Sequence, residues 1–185
     1  LNAPKGVGAL YVRTGSGVCP LISGGHQEEG RRAGTENTLG IIGLGVGAQV
    51  ALEGQAKREK ELRRLRDKLE KGIVERIPEV KVNGDPDHRL PNTLNVSFQY
   101  IEGEAILYRL DADGIAVSTG SACSSGSLDP SHVLLAMGLS HELAHGSIRF
   151  SLGWDTTEEE IDYVLDHLTV AIEKLRALSP LYRKK

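Results

Sequence analysis

The sequence predicts a mixed α/β chain in two parts: the end of an α/β domain over residues 1–56 and a small α+β domain over residues 57–185. Three observations carry this. The composition shifts abruptly near Gln55, from Gly and small apolar residues to dense Lys, Arg and Glu. After residue 56, helical and strand-like periods mix without the regular strand–helix repeat of a parallel sheet, which favours α+β. Before it, one strand and one helix read as the tail of something larger.

The elements follow in order. Gly6 to Val12 reads as a strand of mixed polarity, with Val7, Ala9, Leu10, Tyr11 and Val12 apolar. It comes almost at once after Leu1-Asn2-Ala3-Pro4-Lys5-Gly6, a start without Met that reads as the second half of a turn-and-strand unit with something upstream missing. Gly15 to Gly34 is long, Gly-rich and irregular, as functional loops are. Thr38 to Gly54 reads as a buried helix despite its glycines, through Ile41, Ile42, Leu44 and Val46. Gln55 to Arg76 is a one-sided amphipathic helix with Leu62, Leu65, Leu69 and Ile73 on one stripe, ended by Pro78. Its charges alternate in sign, as on a solvated face.

Val80 to Val82 is a short strand, and Asn83-Gly84-Asp85-Pro86 a turn. Asn92 to Phe98 alternates as a half-buried strand does. Glu102 to Leu110 is a helix stopped near Gly114, Ile115 to Ser118 a strand, and Ser131 to Met137 a helix ended by Gly138. Ser147 to Leu152 alternates again through Ile148, Phe150 and Leu152. Thr156 or Thr157 caps the last helix, with Glu159 or Glu160 completing a capping box. Its apolar face is Ile161, Val164, Leu165, Leu168, Ile172 and Leu175, and Pro180 follows its end.

Hydrophobic content of 39% and charge of 25% are ordinary for a globular protein, and a net charge of -3 makes no case for nucleic acid or an acidic membrane surface. No apolar run is read as long enough to span a membrane, and no signal peptide is found. Cys19 and Cys123 lie far apart without metal-ligand spacing, which points to a reducing, cytoplasmic setting.

Cys123 stands in Ser118-Thr119-Gly120-Ser121-Ala122-Cys123-Ser124-Ser125-Gly126-Ser127, directly after a strand-like segment. Small, flexible neighbours let such a thiol be carried to a substrate, and as a thiolate it is a nucleophile. A free surface cysteine is the plainer reading. His141-Glu142-Leu143-Ala144-His145 matches the H-E-x-x-H zinc motif, with His132 or Cys123 available as a third ligand. Its context argues against zinc, because Gly138 and Gly146 leave too little helix to hold both histidines rigidly. The glycines at 43, 45 and 47 lie inside a helical pattern and suit close helix packing. In Gly24-Gly25-His26-Gln27-Glu28-Glu29-Gly30-Arg31-Arg32-Ala33-Gly34-Thr35-Glu36-Asn37, Thr35 before a helix offers a phosphate its hydroxyl, and Arg31 and Arg32 could neutralise an anion. A helix cap by Thr35 stays equally open. Arg149 in Ser147-Ile148-Arg149-Phe150-Ser151 points either to solvent or to a fixed carboxylate.

Together these motifs resemble the cysteine desulfurases of the NifS/IscS type, and the resemblance covers essentially the whole chain. It runs from Ala3-Pro4-Lys5-Gly6-Val7-Gly8 through the two glycine-rich motifs above, Leu94-Asn95-Val96-Ser97-Phe98 and the Cys123 loop, to Ser147-Ile148-Arg149-Phe150-Ser151-Leu152 and Thr156-Thr157-Glu158-Glu159-Glu160-Ile161-Asp162. The resemblance implies the C-terminal part of a fold-type I enzyme using pyridoxal 5'-phosphate, with the tail of the large domain over 1–56 and the small domain over 57–185. It implies that Cys123 attacks the sulfur of L-cysteine, giving L-alanine and a persulfide, and that Arg149 holds the substrate carboxylate. Thr35 would reach the cofactor phosphate of the neighbouring subunit in a homodimer. An iron–sulfur scaffold protein would accept the sulfur, with no nucleic acid, no membrane and no intrinsic metal; Cys123 could be a transient iron–sulfur ligand shared with that scaffold. The family's cofactor-bearing lysine would lie upstream of Leu1, since Lys5 belongs to the following turn, so residues 1–185 alone would be inactive. A related selenocysteine lyase and a zinc hydrolase on His141, Glu142 and His145 are the alternatives.

Overall fold

The structure, a computed structural model, describes residues 1–119 and 129–182. The chain divides into two compact units, Leu1–Ala56 and Lys57–Lys185.

In the first unit the expected strand from Gly6 to Val12 does not form. A strand exists only when a neighbour takes its N–H and C=O groups, and no strand lies beside this one among the described residues of the unit. Leu10 and Tyr11 stand exposed along it. The segment to Gly34 is irregular as expected, apart from one turn, α1 (Gln27–Gly30), whose Glu28 and Glu29 adopt left-handed φ of 52° and 59°.

Helix α2 spans Thr38–Arg76 without a break, where two helices were expected. Nothing at the junction stops it. Gly54 alone costs only about 1 kcal/mol in a helix, and Leu52, Glu53, Gln55, Ala56 and Lys57 around it are good or fair helix formers. Asn37 caps its start, accepting the Gly40 N–H at 3.1 Å, while its own amide donates to the Gly6 carbonyl. A Cβ at Gly43 would lie 2.6 Å from Pro4, and one at Gly47 2.9 Å from Ala3, so these glycines do serve close packing; Gly45 faces open space. Ile41, Ile42 and Val46 are exposed, not buried as their pattern suggested. By length and composition α2 also qualifies as a helix able to cross a membrane, with mean hydropathy 1.2 over its most apolar window, against the sequence reading. That reading counted an uninterrupted apolar run, whereas the window tolerates interspersed glycine and polar residues.

The second unit is built on a four-stranded antiparallel sheet of β1 (Val80–Asn83), β2 (Thr93–Phe98), β3 (Ser118–Thr119) and β4 (Ser147–Ser151), in the order β1-β2-β4-β3. One face carries Val82, Leu94, Val96, Phe98, Ile148 and Phe150. These bury against Leu65, Leu69 and Ile73 of α2, Ile106 and Leu110 of α3 (Gly103–Asp111), and Leu165, Leu168 and Ile172 of α6 (Glu158–Leu178). The period-2 and period-3.6 stripes read from the sequence are therefore the core. Two short helices, α4 (His132–Ala136) and α5 (His141–His145), join Leu134, Leu139 and Ala144 in a satellite cluster.

Three local details matter. The strand expected over Ile115 to Ser118 shrinks to Ser118–Thr119, because the Ile115 N–H is spent closing α3 on the Leu110 carbonyl. Thr157, not Thr156, caps α6, in a full capping box with Glu160. Near the other end of α6, buried Arg176 donates to the carbonyls of Pro78 at 2.8 Å, Glu79 at 3.1 Å and Gln99 at 3.3 Å.

Candidate functional site

Strand β4 sends Ile148 and Phe150 into the core and Arg149 to the opposite face, as alternation requires. On that face the registers align one row across all four strands: Asn83 opposite Asn95, Asn95 opposite Arg149, Arg149 opposite Ser118. The row is polar throughout. Buried Asn83 donates through Nδ2 to Asn95 Oδ1 at 2.7 Å and to Ser97 Oγ at 2.8 Å. Ser118 donates its hydroxyl to the Thr119 carbonyl.

Arg149 is exposed. The other described arginines of this unit are engaged. Arg63, Arg64, Arg66, Arg76, Arg89 and Arg109 pair with carboxylates, Arg176 holds carbonyls, and Arg58 lies 3.7 Å over the Trp154 ring. Among the described residues Arg149 has no acidic partner. A guanidinium without an internal counter-charge, on a rigid central strand, is the right group in the right state to take a carboxylate from outside in a two-pronged bond. Sequence reasoning singled out Arg149 but missed Asn83, Asn95 and Ser118. The signal was present: Asn95 and Ser97 occupy the polar parity of a strand whose other parity is core.

Cys123 lies outside the described residues, in the stretch after β3. The row's end at Ser118 thus stands just before the segment that bears the thiol.

Thr35 belongs to the first unit. It does not cap α2, since Asn37 does, and its hydroxyl is exposed and uncommitted among the described residues. It stands beside Gly34, whose φ is 99°. Lys5 is an exposed residue of the turn before Gly6, whose φ is 85°, and offers no buried amine for the cofactor's aldehyde. Arg31 and Arg32, expected to neutralise an anion, are each paired with a carboxylate of the same turn. The left-handed turn brings Glu29 to Arg31 at 2.9 Å and Glu28 to Arg32 at 3.6 Å, and Arg32 also donates to the Gly34 carbonyl.

The H-E-x-x-H residues form α5, only five residues long. His141 and Glu142 are exposed, and His145 faces Glu102 at 3.8 Å. Among the described residues no three His, Cys, Asp or Glu side chains converge as metal ligands. A second cluster escaped sequence analysis. His167 Nδ1 donates to Asp113 at 3.0 Å, Tyr163 stacks on His167 and donates to the Asp113 carbonyl, and Arg109 lies 3.5 Å from the same carboxylate. The His167 hydrogen bond, aided by Arg109, holds the Asp113 carboxyl below its ordinary range. The cluster pins the turn from which the chain departs toward β3.

Comparison with known proteins places these features in a family. The model of class-V aminotransferases matches residues 1–164. Cysteine desulfurase NifS of Azotobacter vinelandii is 57% identical over 182 residues, 98% of this chain and 45% of that protein. Cysteine desulfurase IscS of Clostridium botulinum is 56% identical over 181 residues, 97% of this chain and 46% of its own length. A solved NifS-like protein superposes with a TM-score of 0.79 at 38% identity, covering 89% of this chain and 42% of that one. The chain spans somewhat under half the length of the curated relatives it matches.

Proposed function

We propose, from the premise that this chain belongs to the class-V aminotransferase family, that it supplies the thiol and the substrate clamp of a cysteine desulfurase. The observation that supports this most is the row of β-strand side chains around Arg149, a cation with no acidic partner among the described residues, leading at Ser118 toward Cys123. In this reading Arg149 binds the carboxylate of L-cysteine and orients its sulfur. The Cys123 thiolate attacks that sulfur. An S–S bond forms, the substrate C–S bond breaks, and its electron pair stays on the substrate carbon, which takes up a proton to become L-alanine. Cys123 is left as a persulfide. When bound, pyridoxal phosphate supplies the electron sink that makes the C–S bond breakable. Thr35 holds the phosphate end of that group for the neighbouring subunit of a homodimer.

The persulfide is then handed to an acceptor for iron–sulfur cluster assembly, which suits a cysteine among Gly, Ser and Ala. A cytoplasmic, reducing setting suits it too, since both cysteines lack disulfide partners in the sequence pattern.

The test is made on the protein expressed at the length of its relatives. Cys123→Ala is expected to retain the cofactor's visible absorbance and to form neither sulfide nor alanine from L-cysteine. Full turnover by that variant removes Cys123 from the mechanism.

A further inference from the structure

We infer that Asn95 is a second donor to the substrate's carboxylate, with its amide oriented by Asn83, so that a pair of side chains reads the acid group. The inference rests on the desulfurase reading above. An asparagine amide is planar, with an acceptor at one end and two donor hydrogens at the other. Asn83 Nδ2 engages Asn95 Oδ1 at 2.7 Å from the β1 side. That bond fixes the amide's sense and leaves its donor end toward β4, where Arg149 stands directly opposite. Directly opposed residues of an antiparallel pair have Cβ atoms about 4.5–5.5 Å apart, within reach of one shared ligand.

The orientation is set from beneath. Asn83 is 7% exposed and Ser97 wholly buried, and Asn83 also donates to Ser97 at 2.8 Å. Asn95 itself is half-buried, so its outer end is reachable. Among the described residues neither Asn95 Nδ2 nor the Arg149 guanidinium has an acceptor. Two unpaired donors side by side are matched by one group that presents two oxygens, and a carboxylate does so. On the other flank, Ser118 stands opposite Arg149 in register and donates its hydroxyl to the Thr119 carbonyl. The donor of Asn95 adds to the binding of an acid by Arg149.

The test uses the protein at the length of its relatives. Asn95→Asp keeps the shape and still accepts the Asn83 hydrogen bond, but sets a carboxylate beside Arg149. It is expected to raise KM for L-cysteine about tenfold or more with kcat within about threefold, because a charge pair competes with substrate binding and not with the chemistry. Asn95→Ala removes the donor, and with it the acceptor of the Asn83 bond, and is expected to raise KM about threefold to fivefold. A readout independent of turnover is calorimetric titration of the cofactor-free protein with 3-mercaptopropionate, which keeps the carboxylate and lacks the amine. Its Kd should rise in parallel, while that of cysteamine, which lacks the carboxylate, stays put. Should Asn95→Asp lose its fold by circular dichroism, Asn95→Ala decides alone. Unchanged KM and Kd in folded Asn95 variants, with Arg149→Lys still impaired, overturn this inference and spare the reading of Arg149. Unchanged values in Arg149→Lys as well overturn both.

Discussion

Replacing Gly146 by alanine is expected to destabilise the second unit by about 2–4 kcal/mol, and the figure follows from where a methyl group would go. A Cβ built there would stand 2.8 Å from the Ile101 carbonyl oxygen and closer still to that of Phe98. Both atoms are backbone, so neither can rotate away as a side chain would. Gly146 also accepts the Phe98 N–H at 2.8 Å, which continues the β2–β4 pairing. The added methyl must therefore push apart the two strands that this residue joins. Overpacking of this kind costs about 1–3 kcal/mol, and the weakened hydrogen bond about 1 kcal/mol more. Urea unfolding followed by circular dichroism measures it. With a slope of about 2 kcal/mol per molar, the midpoint should fall by roughly 1–2 M. KM for L-cysteine should rise too, because Arg149 rides on the displaced strand. An unchanged midpoint with unchanged slope would show that the chain closes around the methyl at no cost and refute the argument from close approach.

Other outcomes follow from the same geometry. Arg149→Lys should raise KM for L-cysteine at least about tenfold with fold and cofactor absorbance intact, since a point charge does not replace a planar fork; steady-state kinetics decide it. Asp113 is held below its ordinary value by His167, so its contribution is fully present above the usual carboxylate range and is lost as pH falls through the lowered folded value. Wild type should then exceed Asp113→Asn in urea midpoint near neutral pH, and the gap should close in acid; a gap that widens in acid contradicts the sign. Thr157→Ala removes the cap that accepts the Glu160 N–H and should cost about 1 kcal/mol, read as a lowered midpoint.

The second unit was largely legible in the sequence because its stripes are local. Leu62, Leu65, Leu69 and Ile73, or Ile148 and Phe150, declare their face by spacing alone. What failed was whatever depends on a neighbour. The Gly6–Val12 segment has strand composition, but among the described residues of its unit no strand lies alongside it. Ile115 to Val117 looked like strand, yet the Ile115 N–H was already committed to ending α3. The pairing of Arg31 and Arg32 with Glu29 and Glu28 also depends on the left-handed turn that these two glutamates make. In the candidate site, Arg149 was found by its type and motif. Asn83 and Asn95 were not, because their alignment with it is a matter of register between strands far apart in the chain.

The strand order carries a consequence for how this protein is made. β4 lies between β2 and β3 in the sheet but comes last of the four in the sequence. During synthesis β1 and β2 can pair as soon as they emerge. Ser118 and Thr119 cannot, because the strand they pair with follows only after α4 and α5 have been translated. Cys123, a few residues further along the chain, therefore leaves the ribosome ahead of Arg149 as well. For that interval the β3 edge has no partner strand, and whatever shields the nascent thiol from oxidants must come from outside the sheet.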